Sequence, residues 1–520
     1  MSILSKSKIK IFQSCPRRLW LSKFNPELEV KNPQMELIAR RGTEFGEAVL
    51  SEFPNGKLVK TLNTDEALKL TADIFNGFAS GSSAVPIFEG AFLFDDVVVR
   101  VDIMNPVIIE DELLWELIEV KSGQIEVEKI GKLIRSPKFE EYLSDAASQK
   151  YIVEKSGVKL SSVKLGVPHK DFVYQEKGNY SGLLKCYDIT VEAEKLQSQF
   201  SDIISAAKHI YTLREPPREA IDAKCAACGF IEYCSDTKIK ESDSLIRVPT
   251  WYLGGSPNVK RVQEAMSHSR DLADLSDELL PEKKFREMKL IAENKKDTYI
   301  DQLLVDHLNS QPWPRYFLDY EFLSTPLPIW LGSSPSTTIP YQYSIHKWSG
   351  PDEVQIEHFK FIAESDLDPR RELARSLISS IEDGAPIYSW SGKGVEGPIT
   401  AKLIDFVETD EQKERLRRIS NSCVENDLLP WFRDYFYTLG MHGQSIKQIC
   451  KYFLPSNPYD MLNTKNGVDA MDGYEKYLRV TSSVEKELIK KDLLDYCGVD
   501  TEAMILIWRH ILAQPKSTFS

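Results

Sequence analysis

Two pairs of short stretches carry acids at spacings that can hold a metal. In "VVVRVDIM" the alternation predicts a strand ending near Asp102, and "WELIEVKSG" predicts another carrying Glu119 and Lys121. Residues i and i+2 of a strand face the same side, so Glu119 and Lys121 point together. If the two strands are neighbours, Asp102 and Glu119 can bind one divalent cation through hard oxygen ligands, which suit Mg²⁺ or Mn²⁺. The lysine would then orient the attacking water and neutralise phosphate charge. The plainer reading of these residues is an ion pair at the edge of a hairpin. Farther on, "YFLDYEFL" places Asp319 and Glu321 on one face of an apolar strand. "LLDYCGVDTEAM" reads as a helix with Tyr496 and Asp500 one turn apart on one face.

A third group is sulfur. "CAACGFIEYC" holds Cys225, Cys228 and Cys234, three of the chain's eight cysteines. Tetrahedral thiolate coordination needs one more ligand, and thiolates alone do not separate zinc from iron–sulfur. Cys186, Cys423, Cys450 and Cys497 lack partners at ligand spacing and are expected to be ordinary buried thiols.

These groups must be positioned by more than one domain, because 520 residues exceed what a single core usually spans. Residues 1–240 mix helical and strand-like patterns, with Pro216 and Pro217 breaking regular structure before the cysteines. Residues 241–311 are charged, read as short helices such as "DELLPEKKFREMKLIAENK", and form an expected helical connector. A second α/β pattern fills 312–520, with strands near 315–322 and 340–346 followed mainly by helices.

The Asp102…Glu119-x-Lys121 arrangement resembles the PD-(D/E)XK nuclease superfamily. The helix in "LSDAASQKYIVEKSG" resembles the one that follows the metal strands in its RecB-like branch, with Gln149 at the motif glutamine. That branch often carries a metal-binding histidine on an early helix; in "ARRGTEFGEAV" Glu44 or Glu47 would take its place, or the metal shell is smaller. RecB-like nucleases with an iron–sulfur staple, such as the AddB subunit and CRISPR-associated exonucleases, have one distant upstream cysteine and three after the core. The resemblance therefore implies Cys15, of "FQSCPRRLWL", as fourth ligand beside Cys225, Cys228 and Cys234. It implies a 4Fe–4S cluster, with zinc as the alternative.

The second constellation resembles the DEDDy exonucleases, the DnaQ-like group with the RNase H fold. In that family four carboxylates hold two divalent cations about 4 Å apart, and the tyrosine positions the attacking water. Asp319, Glu321 and Asp500 supply three acids and Tyr496 the tyrosine; Glu396 in "SGKGVEGPITAKL" is the fourth, with Asp427 its competitor. "GQSIKQI" is similar to a Ser-x-Lys segment of some relatives, so Ser445 and Lys447 either contact substrate or simply start a helix. His346 is expected to pack or hydrogen-bond rather than ligate.

The resemblance implies an α/β chain: an N-terminal restriction-endonuclease-like domain, a helical connector and a C-terminal RNase H-like domain, the order of a bacterial family of uncharacterised proteins. The implied activity is metal-dependent phosphodiester hydrolysis, as a DNA exonuclease acting on single-stranded or end-containing DNA in repair, recombination or defence. RNA as substrate, or a nucleic-acid-binding scaffold with inactive centres, are the alternatives. A net charge of −13 argues against a passive nucleic-acid coat but suits carboxylate-lined metal sites. Lys6, Lys8, Lys10, Arg17 and Arg18 could guide DNA or form a solvated helix face. No stretch approaches the roughly 20 apolar residues of a membrane span, and the basic N-terminus lacks a signal peptide's apolar run. No membrane partner and a cytoplasmic location are expected.

Overall fold

The computed structural model describes residues 3–31, 33–79, 83–125, 136–219, 225, 228–234, 269, 271–280, 282–353, 356–441 and 443–516. They form a mixed α/β chain with three sheets, in two compact units: residues 1–219 with 325–337, and residues 220–324 with 338–520. No helix among the described residues is long and apolar enough to cross a membrane.

In the first unit the order is β1 (Leu4–Ser5), α1 (Lys6–Ser14), α2 (Pro16–Phe24), α3 (Pro33–Val49), β2 (Lys57–Leu58), α4 (Thr64–Ala79) and β3 (Ile87–Phe94). Then come β4 (Val97–Ile109), β5 (Glu112–Val120), α5 (Pro137–Lys155), β6 (Leu160–Pro168), β7 (Leu184–Asp188) and α6 (Thr190–Ile210). The sheet runs β2-β3-β4-β5-β6-β7, with β1 added to β4. Tight two-residue turns join β3 to β4 and β4 to β5. Their central residues, Asp95–Asp96 and Glu110–Asp111, have φ values between 49° and 62°, the left-handed turn that matches the twist of a hairpin. β5 and β6 are parallel, and α5 supplies the crossover that a parallel pair requires. Ser136 caps α5 by accepting the Phe139 N–H, and Pro137 opens its first turn.

One detail of the ladder decides the site. β3 pairs with β4 from Val97 to Met104, so β1, paired at Val97 and Val98, must lie on the opposite side of β4. β5 occupies that same side from Ile103 onward. The N-terminal strand therefore continues the line of β5 and delivers Lys6 to its end.

The second unit contains α7 (Ile231–Cys234), α8 (Lys283–Ala292), β8 (Thr298–Ile300), α9 (Gln302–Ser310), β9 (Arg315–Leu323), β10 (Ile339–Trp348), β11 (Glu357–Ile362) and α10 (Arg370–Ser380). It continues with β12 (Ile387–Tyr388), α11 (Glu396–Lys402), α12 (Asp410–Glu425), α13 (Leu428–Tyr435), β13 (Phe436–Thr438), α14 (Ile446–Phe453), α15 (Gly467–Arg479) and α16 (Ser483–Leu512). Its main sheet is β11-β10-β9-β12, antiparallel except for β12 beside β9; β8 and β13 form a separate pair. β9 is covered on both faces, which is why it reads as a nearly continuous apolar run. Tyr316, Leu318 and Tyr320 enter a core with α10, α11 and α12, while Phe317 enters another with Trp508 and Ile505 of α16. Asp319 and Glu321 share the parity of Phe317.

The segment expected as a connector is built into this second core. Leu272, Leu275, Leu280, Met288, Ile291, Leu304 and Leu308 are all buried in it. Its many charges lie on the outer side of short amphipathic helices, and that masks the Met288–Ile291–Ala292 stripe. Residues 241–268, 270 and 281 of that segment lie outside the described residues.

Candidate functional site

In the first unit the end of β5 gathers the predicted residues. The Val120 N–H donates to Asp102 Oδ2 at 2.6 Å, taking the ladder position just past the last paired residue of β5. Lys6 Nζ donates to both Glu119 oxygens, at 2.8 and 3.1 Å. Lys121 Nζ lies 2.8 Å from Glu119 and 2.6 Å from Asp145 of α5. Gln149, one turn after Asp145, is fully buried; its Nε2 donates to the Arg100 carbonyl at 3.0 Å and its Oε1 has no partner. Glu44 pairs with Arg40 at 3.9 Å and Glu47 is exposed.

Burial, then the Glu119 charge, pushes the Asp102 carboxyl up to about 7 against the pull of Lys6. Burial would raise Glu119 too, but Lys6 and Lys121 hold it down at about 2. Desolvation works against both ammonium groups, and the carboxylates outweigh it, so Lys6 and Lys121 stay charged. One acid thus keeps its proton well beyond the ordinary carboxylate range beside one that stays ionised, and a divalent cation could take that proton's place.

Three members of this cluster are invisible to motif spacing. Lys6 arrives through β1, Asp145 through the facing helix. The third is Glu89, which stands across from Asp102, because Phe88 pairs with Ile103 and Gly90 with Val101. Its φ of 56° inside a strand is a strained conformation for a non-glycine residue, and burial raises its carboxyl. Of the basic residues at the N-terminus, Lys10 pairs with Glu141 at 2.5 Å, Arg18 with Glu29 at 3.6 Å, and Arg17 donates to the Pro217 carbonyl at 2.8 Å.

In the second unit, Asp319 and Glu321 of β9 face α16, which carries Tyr496, Cys497 and Asp500. Asp500 Oδ1 accepts the Tyr459 hydroxyl at 2.6 Å, and Lys447 Nζ hydrogen-bonds the Tyr496 hydroxyl. That ammonium also lies 4.4 Å from the Tyr496 ring centre and 5.3 Å from that of Tyr459. Glu396 opens α11 and is 3% exposed, with Oε2 lacking any hydrogen-bond partner. A turn built on a close approach places it: a Cβ on Gly392 would fall 1.8 Å from the Cys423 carbonyl oxygen. Asp427 instead caps α13, accepting the Leu429 and Lys393 N–H groups at 3.0 Å each. Glu396 is therefore the acid whose charge reaches Asp319.

Like charges crowd here. Burial, then Asp500, Glu396 and Glu321, pushes Asp319 well above the carboxylate range. Burial and Asp500 do the same to Glu321, and burial raises Asp500 itself. Burial and Asp427 push Glu396 up to about 7. Lys447 is the cation that opposes this for Asp319, Glu321 and Asp500. Among the described residues, Asp319, Glu321 and Cys497 form the one group of three acidic, histidine or cysteine donors lying within 4.8 Å of one another.

Ser445 caps α14 by accepting the Gln448 N–H, the helix-start role, while the charge of Lys447, the helix's second residue, acts on the acids. His346 stacks on His358 with ring centres 4.1 Å apart and bonds Thr501 at 2.7 Å, a packed residue as expected. Cys497 is buried as expected, and its Sγ lies 3.7 Å from Asp319 Oδ2. Its neighbour Tyr496 drew attention in the sequence, and Cys497 had no such signal. Tyr459 comes from an irregular loop and was equally silent.

The expected sulfur ligands fall in different units. Cys15 caps α2, its Sγ accepting the Arg18 N–H at 3.4 Å. Cys225, Cys228 and Cys234 open the second unit, where Cys228 N–H donates to the Cys225 carbonyl at 2.9 Å and Cys234 N–H to that of Phe230 at 3.0 Å. All four are half-buried.

A family described as a domain of unknown function (DUF2779) matches residues 316–445, a span that includes Asp319, Glu321 and Glu396 and stops before Tyr496 and Asp500. No curated relative matches the chain.

Proposed function

We propose that the chain is a metal-dependent nuclease that hydrolyses phosphodiester bonds, with the Asp319 centre as its main engine. The observation that carries this reading is the buried pair Asp319 and Glu321, with donor oxygens within 4.8 Å of each other, on which the charge of Asp500 acts, that of Glu396 also reaching Asp319, and which the ammonium of Lys447 opposes. Ionising these carboxylates together is costly without cations, and their oxygens can ligate Mg²⁺ or Mn²⁺. Glu396 Oε2, buried without a hydrogen-bond partner, is an oxygen that a cation would satisfy. Bound divalent ions would supply Lewis-acid polarisation of a phosphate.

The chain's own residues account for the rest. Lys447 holds the Tyr496 hydroxyl in place and Tyr459 fixes Asp500, so the groups around the acids are oriented in advance. DNA is the substrate favoured by the resemblance, RNA the alternative. In the first unit Lys6 and Lys121 already neutralise Glu119, which supports a weaker or substrate-binding role for the Asp102 centre.

The test is degradation of end-labelled single- and double-stranded DNA and RNA, with Mg²⁺ or Mn²⁺, by anaerobically purified protein. Asp319→Ala is expected to abolish cleavage and Asp102→Ala to leave most of it. Wild type that leaves every substrate intact with both metals would overturn the reading.

A further inference from the structure

We propose that the Asp319 centre is a mixed oxygen–sulfur metal site in which Cys497 Sγ is a direct ligand, so that the centre takes a zinc-class cation more tightly than Mg²⁺. The inference rests on Asp319 and Glu321 being cation ligands, as read above, and adds which cation the site selects.

The geometry comes first. One donor atom each from Asp319, Glu321 and Cys497 lies within 4.8 Å of the other two. A single ion with metal–oxygen bonds of about 2.1 Å and metal–sulfur bonds of about 2.3 Å holds its ligands roughly 3.5 Å apart. Closing the trio onto an ion thus needs side-chain shifts of about an ångström. Helix spacing helps: Cys497 and Asp500 are i and i+3 on α16, so both reach the β9 side.

The surroundings are those of a ligand rather than of a packing thiol. A structural cysteine usually sits among apolar groups. Cys497 is fully buried, yet its S–H is directed at the Asp319 carbonyl and carboxylate, at 3.8 and 3.7 Å. A neighbouring acid agrees: Glu396, 3% exposed, has Oε2 without a hydrogen-bond partner, and its charge acts on Asp319.

The chemistry balances without a redox partner. The cation takes the place of the thiol proton and of the protons held on Asp319 and Glu321; the S–H and O–H bonds break, sulfur–metal and oxygen–metal bonds form, and the displaced protons leave to solvent. Thiolate sulfur selects zinc-class ions, whereas Mg²⁺ gains little from it.

The experiment titrates anaerobically purified full-length protein with Cd²⁺ alone and reads the thiolate-to-cadmium charge-transfer band, then with Zn²⁺ and Mg²⁺ by calorimetry. Cys497→Ser and Asp319→Asn are compared with wild type, and Cys186→Ser serves as control. Other cysteines also bind Cd²⁺, so the difference between variants is read. The expected result is loss of one site's band in both variants and, in Cys497→Ser alone, at least tenfold weaker Zn²⁺ binding with Mg²⁺ binding unchanged. A Cys497→Ser protein that matches wild type in band and Zn²⁺ affinity overturns the proposal. Should that variant melt early, Cys497→Ala is read in its place against the same two outcomes. Nuclease activity with Mg²⁺ is scored separately: an inactive chain that keeps the Cys497-dependent band would sink the enzymatic reading alone.

Discussion

Lys6 Nζ lies 2.8 and 3.1 Å from the two oxygens of Glu119, a residue 113 positions later in the chain. The contact exists because β1 continues the line of β5 along β4, and it sets an ammonium where a divalent cation would bind. Lys6→Met should therefore tighten Mn²⁺ binding at the first centre by about tenfold, the equivalent of roughly 1.4 kcal/mol. Calorimetry in an Asp319→Asn background, which weakens the second centre, isolates the effect. Unchanged or weaker Mn²⁺ affinity would show that the lysine supports the site rather than competing for it.

Loss of the Asp319 carboxylate should cost more catalysis than loss of Asp102. Asp319 touches the most crowded charge cluster, and removing a group that acts on the reacting phosphate costs about a hundredfold or more. Asp319→Asn should keep the fold, since it relieves repulsion, and should melt no earlier than wild type. Steady-state cleavage and a thermal melt on the same preparation check both halves.

Metal-free stability should fall as pH rises from about 4.5 to about 7. Asp102 and Glu396 have folded-state values raised to about 7 from ordinary ones of 3.8 and 4.5. Between those limits the folded chain holds protons that the unfolded chain has released, so unfolding becomes easier with each added pH unit. Glu119, held down at about 2, contributes the opposite way only below its ordinary value of 4.5, so it does not offset this window. Mn²⁺ takes the place of those protons and should raise the melting temperature more at pH 7 than at pH 5. Melting curves at the two pH values with and without Mn²⁺ decide it; an equal metal effect at both would refute the linkage.

Much of this site was legible because strands and helices have fixed periods. Glu119 with Lys121, Asp319 with Glu321, and Tyr496 with Asp500 needed only i+2 or i+4 spacing to be placed on shared faces. Their partners were not legible, because each reaches the site through tertiary pairing: Lys6 through β1, Glu89 through the register of β3, Tyr459 through a loop. Cys497 was passed over because a cysteine alone in sequence looks like core, and only its contact with Asp319 distinguishes it. The strands predicted near 315–322 and 340–346 are β9 and β10, displaced by a residue or two. The connector merged into a core because charge density conceals an amphipathic stripe, a question of which face, not of how many charges.

The four cysteines offer a colour test. A 4Fe–4S cluster bound by Cys15, Cys225, Cys228 and Cys234 is what the resemblance implies, and zinc is the alternative. Anaerobically purified protein should be brown, with visible absorbance that bleaches on reduction and about four irons per chain. Cys225→Ser should remove most of that absorbance. A colourless chain carrying zinc would reassign the thiolates to a structural zinc site.

Gly392 tests how Glu396 is positioned, without touching its carboxylate. A Cβ there would meet the Cys423 carbonyl oxygen at 1.8 Å, and that atom belongs to the backbone of α12, which cannot swing aside like a side chain. Gly392→Ala must therefore displace the turn that opens α11, at a cost of about 3 kcal/mol. Because Glu396 is the first residue of α11, the same shift carries its orphaned oxygen away from Asp319. Gly443→Ala is the control, since nothing lies within 4 Å of the Cβ it would add. A melting temperature lowered in Gly392→Ala but not in Gly443→Ala, together with weaker Mn²⁺ binding, is the expected pair of results. Weaker stability with metal affinity intact would mean that Glu396 is not a ligand, and that the acids of β9 and α16 hold the cation without it.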